Sequence, residues 1–256
     1  MHWINRRQVS VTASSAVRPP TDPLPAGYTA RVTAAPHLRP VRPDDRAALA
    51  QIAYHTGFFG ASAAVYFPDA ALFGALWMEP YLGGAGVEGA GAAGFVADLD
   101  GVVLGYIVGA PDHGAYQRAL TAVVARFLTT HRPTPDTLRS LRYLVRAARY
   151  SSPHADWMAY PAHLHLNLLP AARGLGVGRR LLDAHLSALG GLGVPGVQLS
   201  TTTENGAAIT LYGRAGFGVL ASRDSPLWMP WLGRATTHVV MGRRCPGWDP
   251  DRACPD

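Results

Sequence analysis

Residues 163–182 read HLHLNLLPAARGLGVGRRLL, and the reading of this stretch decides the fold. His163, His165 and Asn167 alternate with Leu164, Leu166 and Leu168, a period of two that predicts a strand with one polar and one apolar face. Pro170 ends it. The glycines of Arg173-Gly174-Leu175-Gly176-Val177-Gly178 then run directly into a helix whose Val177, Leu181, Leu182, His185, Leu186 and Leu189 form a buried stripe ending at Gly190-Gly191. Strand, glycine loop and helix N-terminus together make an anion-binding layout, because missing side chains let a diphosphate approach unpaired amides at the positive end of the helix dipole. Arg173 and Arg179 can add charge there. The dinucleotide pattern fails, since G-x-G-x-x-G would need glycine where Arg179 stands, and a phosphate loop fails because the chain has no lysine at all. The same lack removes Schiff-base and lysine-nucleophile chemistry.

Outward from this stretch, Val197 to Thr201 reads as the next strand, Asn205 caps a helix through Ala215, and Phe217 to Ala221 and Thr236 to Met241 are the last two strands. Upstream, His37 to Arg42 suits an edge strand tolerant of Pro40. Pro43-Asp44-Asp45 starts a helix over about 44–55, with Ala48, Leu49, Ile52 and Ala53 buried. Gly83 to Gly94 is glycine-rich loop, and Leu99-Asp100-Gly101 turns a hairpin between Ala93–Ala97 and Val102–Gly109. A helical pattern covers Thr121 to Arg149. On it Arg139, Arg142, Arg146 and Arg149 form a stripe opposite Leu138, Leu141, Leu144 and Val145, which reads as a solvated face or as a docking surface for something acidic. Trp228 and Trp231 lie between the last strands, either as a loop packed on the core or as an aromatic lid on an acceptor pocket.

Composition bounds the rest. The 256 residues carry a formal charge of +6, but Arg6, Arg7, Arg18, Arg31 and Asp22 place half of that excess before residue 39, so no strong basic stripe marks the folded part and nucleic acid is not an expected partner. Residues 1–36, rich in Pro, Ser and Thr, read as a disordered extension, 37–244 as one domain, and 245–256, with both cysteines, as a tail. Two late cysteines cannot organise a disulfide or zinc framework, no membrane span or secretory signal is readable, and a cytoplasmic setting follows as the expectation. His163 and His165 offer two zinc ligands with no third at metal spacing, so no metal is expected.

The pattern Arg-x-x-Gly-x-Gly after a strand, followed by Asn205, Ala208, Tyr212 and Gly216-Phe217, resembles the GNAT superfamily of N-acetyltransferases. Ile52–Gly57, Gly105–Asp112, Tyr160–His165 and Met241-Gly242-Arg243 are similar, more closely, to the acetyltransferase-like domain carried by O-GlcNAc hydrolases and its free-standing bacterial relatives. One α/β domain over 37–244 leaves no room for the hydrolase's own catalytic domain, so glycosidase activity is not expected. The resemblance implies an α/β fold with a mixed, mostly antiparallel sheet, splayed beside the glycine loop and flanked by helices on both faces. It implies acetyl-CoA as cosubstrate, held by Leu168, Leu169, Arg173, Gly174, Leu175, Gly176, Val177, Gly178, Arg179, Asn205, Ala208 and Tyr212. By the same resemblance a small-molecule or protein amine attacks the thioester, a backbone amide near Leu168 or Leu169 steadies the oxyanion, and Tyr212 is the acid, although spacing alone also allows it a core role. No Asp or Glu lies between Asp156 and Asp183, so the strand lacks a carboxylate base. His163 and His165 are left to relay the proton, with Asp112, His55 and Asn167 facing the acceptor; His55 equally suits a helix-end dipole partner. A catalytically silent module that binds CoA, a ligand or a protein is the competing reading, and a homodimer is allowed by either.

Overall fold

The computed structural model describes residues 35–83, 89–150 and 152–247. The expected extension up to residue 34, residues 84–88 of the glycine-rich stretch and 248–256 with Cys254 lie outside them.

Seven strands form one sheet in the order β1-β2-β3-β4-β5-β7-β6: β1 His37–Pro40, β2 Phe95–Leu99, β3 Val102–Ala110, β4 Ala162–Leu168, β5 Gly196–Thr202, β6 Gly218–Ser225 and β7 Thr236–Arg244. Every neighbouring pair is antiparallel except β4 with β5. The β2–β3 hairpin turns where expected. Asp100 (φ 53°) and Gly101 (φ 84°) supply the two consecutive positive φ angles that match a tight turn to strand twist. Edge strand β1 is tied inward by Arg39, which donates to Asp45 at 2.7 Å and Asp98 at 2.8 Å; its guanidinium holds the Asp45 carboxyl below the usual carboxylate range.

Helices cover both faces. On the first, α1 (Arg46–Thr56) and α2 (Ala70–Leu82) meet the polar side of β4, where Asn167 donates to Thr56 and the His165 ring meets Tyr81 at 5.6 Å. On the second, α5 (Val177–Gly191) packs its stripe of Val177, Leu181, Leu182, His185, Leu186 and Leu189 onto the sheet, all buried as expected. Gly178 brings α5 close to Leu166 and Leu168 of β4 and to Leu211 of α6 (Gly206–Arg214).

Two helical expectations need correction. The sequence reading left 58–82 unassigned, yet α2 forms there, capped by Asp69, whose Oδ1 accepts from the Leu72 N–H at 2.9 Å. The single run 121–149 is two helices, α3 (His113–Thr130) and α4 (Pro135–Arg149), because Pro133 and Pro135 cannot continue the ladder and Thr134 caps the second. The buried face of α4 is also the reverse of the one expected. Thr137, Ser140 and Tyr143 are buried while Leu138, Leu141 and Val145 are 61%, 44% and 67% exposed. The polar face wins because it has buried partners: the Thr137 hydroxyl donates to Asp69 Oδ2 at 2.6 Å and Ser140 Oγ accepts from the Asp69 N–H at 3.1 Å. Nor is the arginine stripe a solvated face throughout. Arg139 pairs with exposed Asp136, but Arg146 Nε donates to the Leu227 carbonyl at 2.9 Å, its Nη2 to Pro226, and Arg142 lies 5.7 Å over the Trp231 ring.

Ordered chain continues past Arg244. Cys245, assigned from sequence to a tail, is 4% exposed and its N–H donates to the Pro195 carbonyl. No helix among the described residues is long and apolar enough to cross a membrane.

Candidate active site

Strands β4 and β5 pair only at Ala162 with Val197 and His163 with Gln198, and beyond that point they part. Antiparallel bonding alternates along a strand, so the bond from the Leu169 N–H to the Leu104 carbonyl at 2.9 Å fixes the parity of β4. His163, His165, Asn167 and Leu169 turn their backbone groups toward β3. Leu166 and Leu168 turn theirs into the gap. The Leu169 amide, one of the two expected oxyanion donors, is therefore already spent on the sheet, and Leu166 joins Leu168 as a donor facing the gap.

At the C-terminal end of this gap the chain makes a short 3-10 turn over Pro170–Ala172 and enters the glycine loop. Gly174 (φ 77°) and Gly176 (φ 71°) are left-handed, and a Cβ built on either meets nothing within 4 Å, so the loop is open on the side where ligand would come. Gly176 is the N-cap of α5 without a side-chain cap, and the first helical bond there runs from Arg180 N–H to Gly176. The amides of Val177, Gly178 and Arg179 are thus left without an intrahelical acceptor at the positive end of the helix. Val177 and Gly178 are otherwise buried packing residues, and Leu175 stands half exposed at the tip. Both arginines expected to supply charge have other tasks. Arg173 donates to Gly60 at 2.9 Å and to Leu168 at 3.2 Å, while Arg179 pairs with Asp183 and donates to Arg214 at 2.8 Å. The donors that this loop leaves free of such ties are backbone amides.

The gap widens into a cleft of about 340 Å³ that reaches from β4 and β5 to the C-terminal end of α1. Asn205, Ala208 and Tyr212 line it from α6, and Asn205 also caps that helix by accepting from the Ala208 N–H at 3.3 Å. Tyr212 is 6% exposed, packs against Phe217 at 5.4 Å, and its hydroxyl makes no hydrogen bond among the described residues; burial holds this phenol well above its usual pKa. His165 and Asn167 line the cleft from β4. Asn167 is held in place, accepting from Tyr106 at 3.1 Å and donating to Thr56 at 2.8 Å. The His165 imidazole is pushed down to about 4 by burial, so it is neutral at physiological pH.

Three expected residues lie elsewhere. His163 is outside the cleft lining, enclosed by Tyr116 at 4.4 Å and Tyr81 at 5.6 Å, with both ring nitrogens unpaired and its pKa pushed by burial to about 3. Asp112, expected to face the acceptor, instead caps α3 by accepting from the Ala115 N–H at 2.7 Å. His55 sits in the last turn of α1, edge-on to Tyr54, while its neighbour Thr56 reaches the cleft. Among the described residues no three His, Cys, Asp or Glu side chains come together as metal ligands.

Sequence reading missed the other wall. Phe59, Tyr66, Phe73, Trp77, Tyr143 and Trp228 also line the cleft, with His238, which bonds Ser152 at 2.8 Å. Only Trp228 had a signal, in the paired tryptophans read as a lid or as core; it is packed in the core at 8% exposure and also forms part of the cleft wall. Because Arg146 grips the carbonyls before it, Arg146→Gln is expected to lower the melting temperature by a few degrees, the worth of roughly one to two lost hydrogen bonds. Thermal melting of the variant checks this, and an unaltered melting temperature removes Arg146 from that task. The two depressed imidazoles of β4 also predict acid sensitivity. Between pH 6.5 and about 4 the unfolded chain takes up protons that folded His163 and His165 refuse, so stability falls as pH falls, by up to about 1.4 kcal/mol per pH unit for each imidazole. Urea titrations across that window should flatten in His163→Phe; an unchanged slope rejects the assignment.

Residues 151–217, which hold β4, the loop, α5, β5 and α6, match the model of the acetyltransferase (GNAT) family. The crystal structure of SsHAT is 30% identical, covers 83% of this chain and 99% of its own, and superposes with a TM-score of 0.61. The fold is shared with yncA from Salmonella typhimurium, whose structure holds acetyl-CoA (20% identity, 87% of this chain, 99% of that one, TM-score 0.50). A GCN5-related N-acetyltransferase from Kribbella flavida is equally close in fold (22% identity, 82% and 98%, TM-score 0.50). With the glycine loop, the splayed strands and a relative matched over nearly its whole length all in agreement, the chain belongs to the GNAT acetyltransferase family.

Proposed function

We propose that this protein moves the acetyl group of acetyl-CoA to a primary amine by direct transfer. The observation that carries the reading is the course of β4, whose His165, Leu166 and Asn167 line the cleft that also holds Tyr212 and whose next residues lead through Leu168 into the open amide loop at 174–179. Acetyl-CoA supplies an acetyl group already activated as a thioester. The loop amides bind its diphosphate, and the exposed β4 edge pairs with the pantetheine amides as an added strand would. The amine lone pair forms the new C–N bond while an edge amide of Leu166 or Leu168 donates to the carbonyl oxygen, where negative charge develops. The C–S bond then breaks with its electron pair going to sulfur. His165 accepts the proton from nitrogen, and Tyr212, kept protonated by burial, gives one to the leaving thiolate. Asp112, occupied as a cap outside the cleft, takes no part.

The carboxylate-free cleft lining also favours a second reading, a module that binds CoA without turnover. One pair of measurements separates them. Acetyl-CoA at a hundredfold excess over its Kd is expected to raise the melting temperature by about 5–10 °C and to release thiol with an accepted amine. A thermal shift without thiol from any amine supports the silent module, and no shift with acetyl-CoA or CoA rejects both.

A further inference from the structure

The aromatic end of the cleft is built as one cluster. Phe73 and Trp77 stack at 4.3 Å with 8° between their planes, Tyr143 lies 4.6 Å from Tyr66, and Tyr66 meets Trp228 nearly perpendicular at 4.9 Å. The polar groups sharing this lining are hydroxyls, amides and the imidazoles of His165 and His238; among the described residues it includes no Asp, Glu or Arg, and the chain has no Lys. A charged acceptor would leave water here and meet no countercharge, which is costly for any buried ion.

The backbone at Phe59 is an independent sign of the same purpose. This bulky aromatic residue is held at φ 51°, in the left-handed region that suits Gly, Asn or Asp, with its ring 4.8 Å from Phe58 and 5.2 Å from Trp228. Such a conformation costs an ordinary side chain about 1–2 kcal/mol. Strain of this kind persists where the surroundings enforce it, and it gathers at ligand-binding sites.

Resting on the acetyl transfer proposed above, we propose that the acceptor is an arylamine, its amino group carried directly on an aromatic ring and uncharged at neutral pH. The ring fills the space between Phe59, Trp77 and Trp228. The nitrogen arrives as the free base, because conjugation with the ring makes its conjugate acid far stronger than an alkylammonium, and it needs no carboxylate to hold or deprotonate it. Only once the N–C bond has formed does the nitrogen carry positive charge, and a proton that acidic passes to a weakly basic imidazole such as His165. The balance is that of the transfer above: one C–N bond made, one C–S bond broken, and one proton moved in net from nitrogen to sulfur.

The test compares thiol release from acetyl-CoA with p-anisidine, benzylamine, L-lysine and spermidine, and measures p-anisidine binding by calorimetry. The expected result is a kcat/KM for p-anisidine at least tenfold above each of the others. Preference for benzylamine, lysine or spermidine overturns the arylamine assignment while leaving acetyl transfer standing. If none releases thiol, transfer fails by itself, and calorimetry decides the inference: p-anisidine binding that Phe59→Asn abolishes upholds the aromatic site, and no binding to the unaltered protein overturns it. In an active enzyme, Phe59→Asn is expected to keep or raise the melting temperature, because asparagine relieves the backbone, while lowering kcat/KM for p-anisidine at least tenfold at unchanged acetyl-CoA KM. Equal kcat/KM in that variant overturns the part given to Phe59. Phe59→Asp places a carboxylate in the cleft and is expected to shift preference toward benzylamine, and no shift counts against the countercharge argument.

Discussion

Gly176→Glu is expected to weaken acetyl-CoA binding at least a hundredfold, about 2.7 kcal/mol, while the protein remains folded. A Cβ at this position meets no atom within 4 Å, so the new side chain enters open space rather than the core. Its φ of 71° costs a non-glycine residue about 1–2 kcal/mol, part of which an acid at a helix N-terminus returns through the dipole. The same carboxylate then lies against the amides of Val177, Gly178 and Arg179 and competes with a diphosphate for them. Neither nearby arginine rescues the site, since Arg173 is drawn toward Gly60 and Leu168, and Arg179 toward Asp183 and Arg214. Calorimetry with CoA measures the loss, and circular dichroism melting confirms that the fold survives. CoA affinity unchanged in a folded variant would remove the loop from the cofactor site, and with it the proposed function.

How much of this site could be read from sequence depends on whether a residue's task is local. The hairpin at Asp100-Gly101, the buried stripe of α5 and the glycines at 174 and 176 were legible because each is decided within a few residues, by φ, by periodicity or by the lack of a side chain. Helix α2 was hidden because apolar residues surround it, leaving no contrast between faces, and Pro80 sits in its last turn. The inward face of α4 was misread because its outcome depends on Asp69, distant in sequence, which makes buried Thr137 and Ser140 cheaper than buried Leu138. Period-two alternation placed His163 and His165 on one face correctly. It could not separate them, because Tyr81 meets both rings, Tyr116 closes over one, and the parting of β4 from β5 leaves the other in the cleft. The aromatic wall draws on chain segments near 59–77, 143 and 228, and no local pattern announces such an assembly.

Tyr212→Phe is expected to lower kcat about a hundredfold, at the lower end of what a positioned acid contributes, with no change in acetyl-CoA affinity. The substitution is clean because it separates two tasks of one side chain. Packing against Phe217 belongs to the ring, which phenylalanine keeps. The hydroxyl has no hydrogen-bond partner among the described residues and its residue lines the cleft, so its removal breaks no contact within the protein and leaves the melting temperature level. A stability role and a catalytic role therefore predict different outcomes. Because burial raises the phenol's pKa, the native enzyme retains its acid through the mildly alkaline range, and kcat is expected to hold there without a descending limb. His165, neutral above about pH 4, gives no ascending limb near neutrality either, so the profile between pH 6 and 9 should be flat. Should Tyr212→Phe turn over at the native rate, sulfur takes its proton from water and the acid role is lost. Should the rate fall together with the melting temperature, the residue is packing, and the hydroxyl's place in the cleft is incidental.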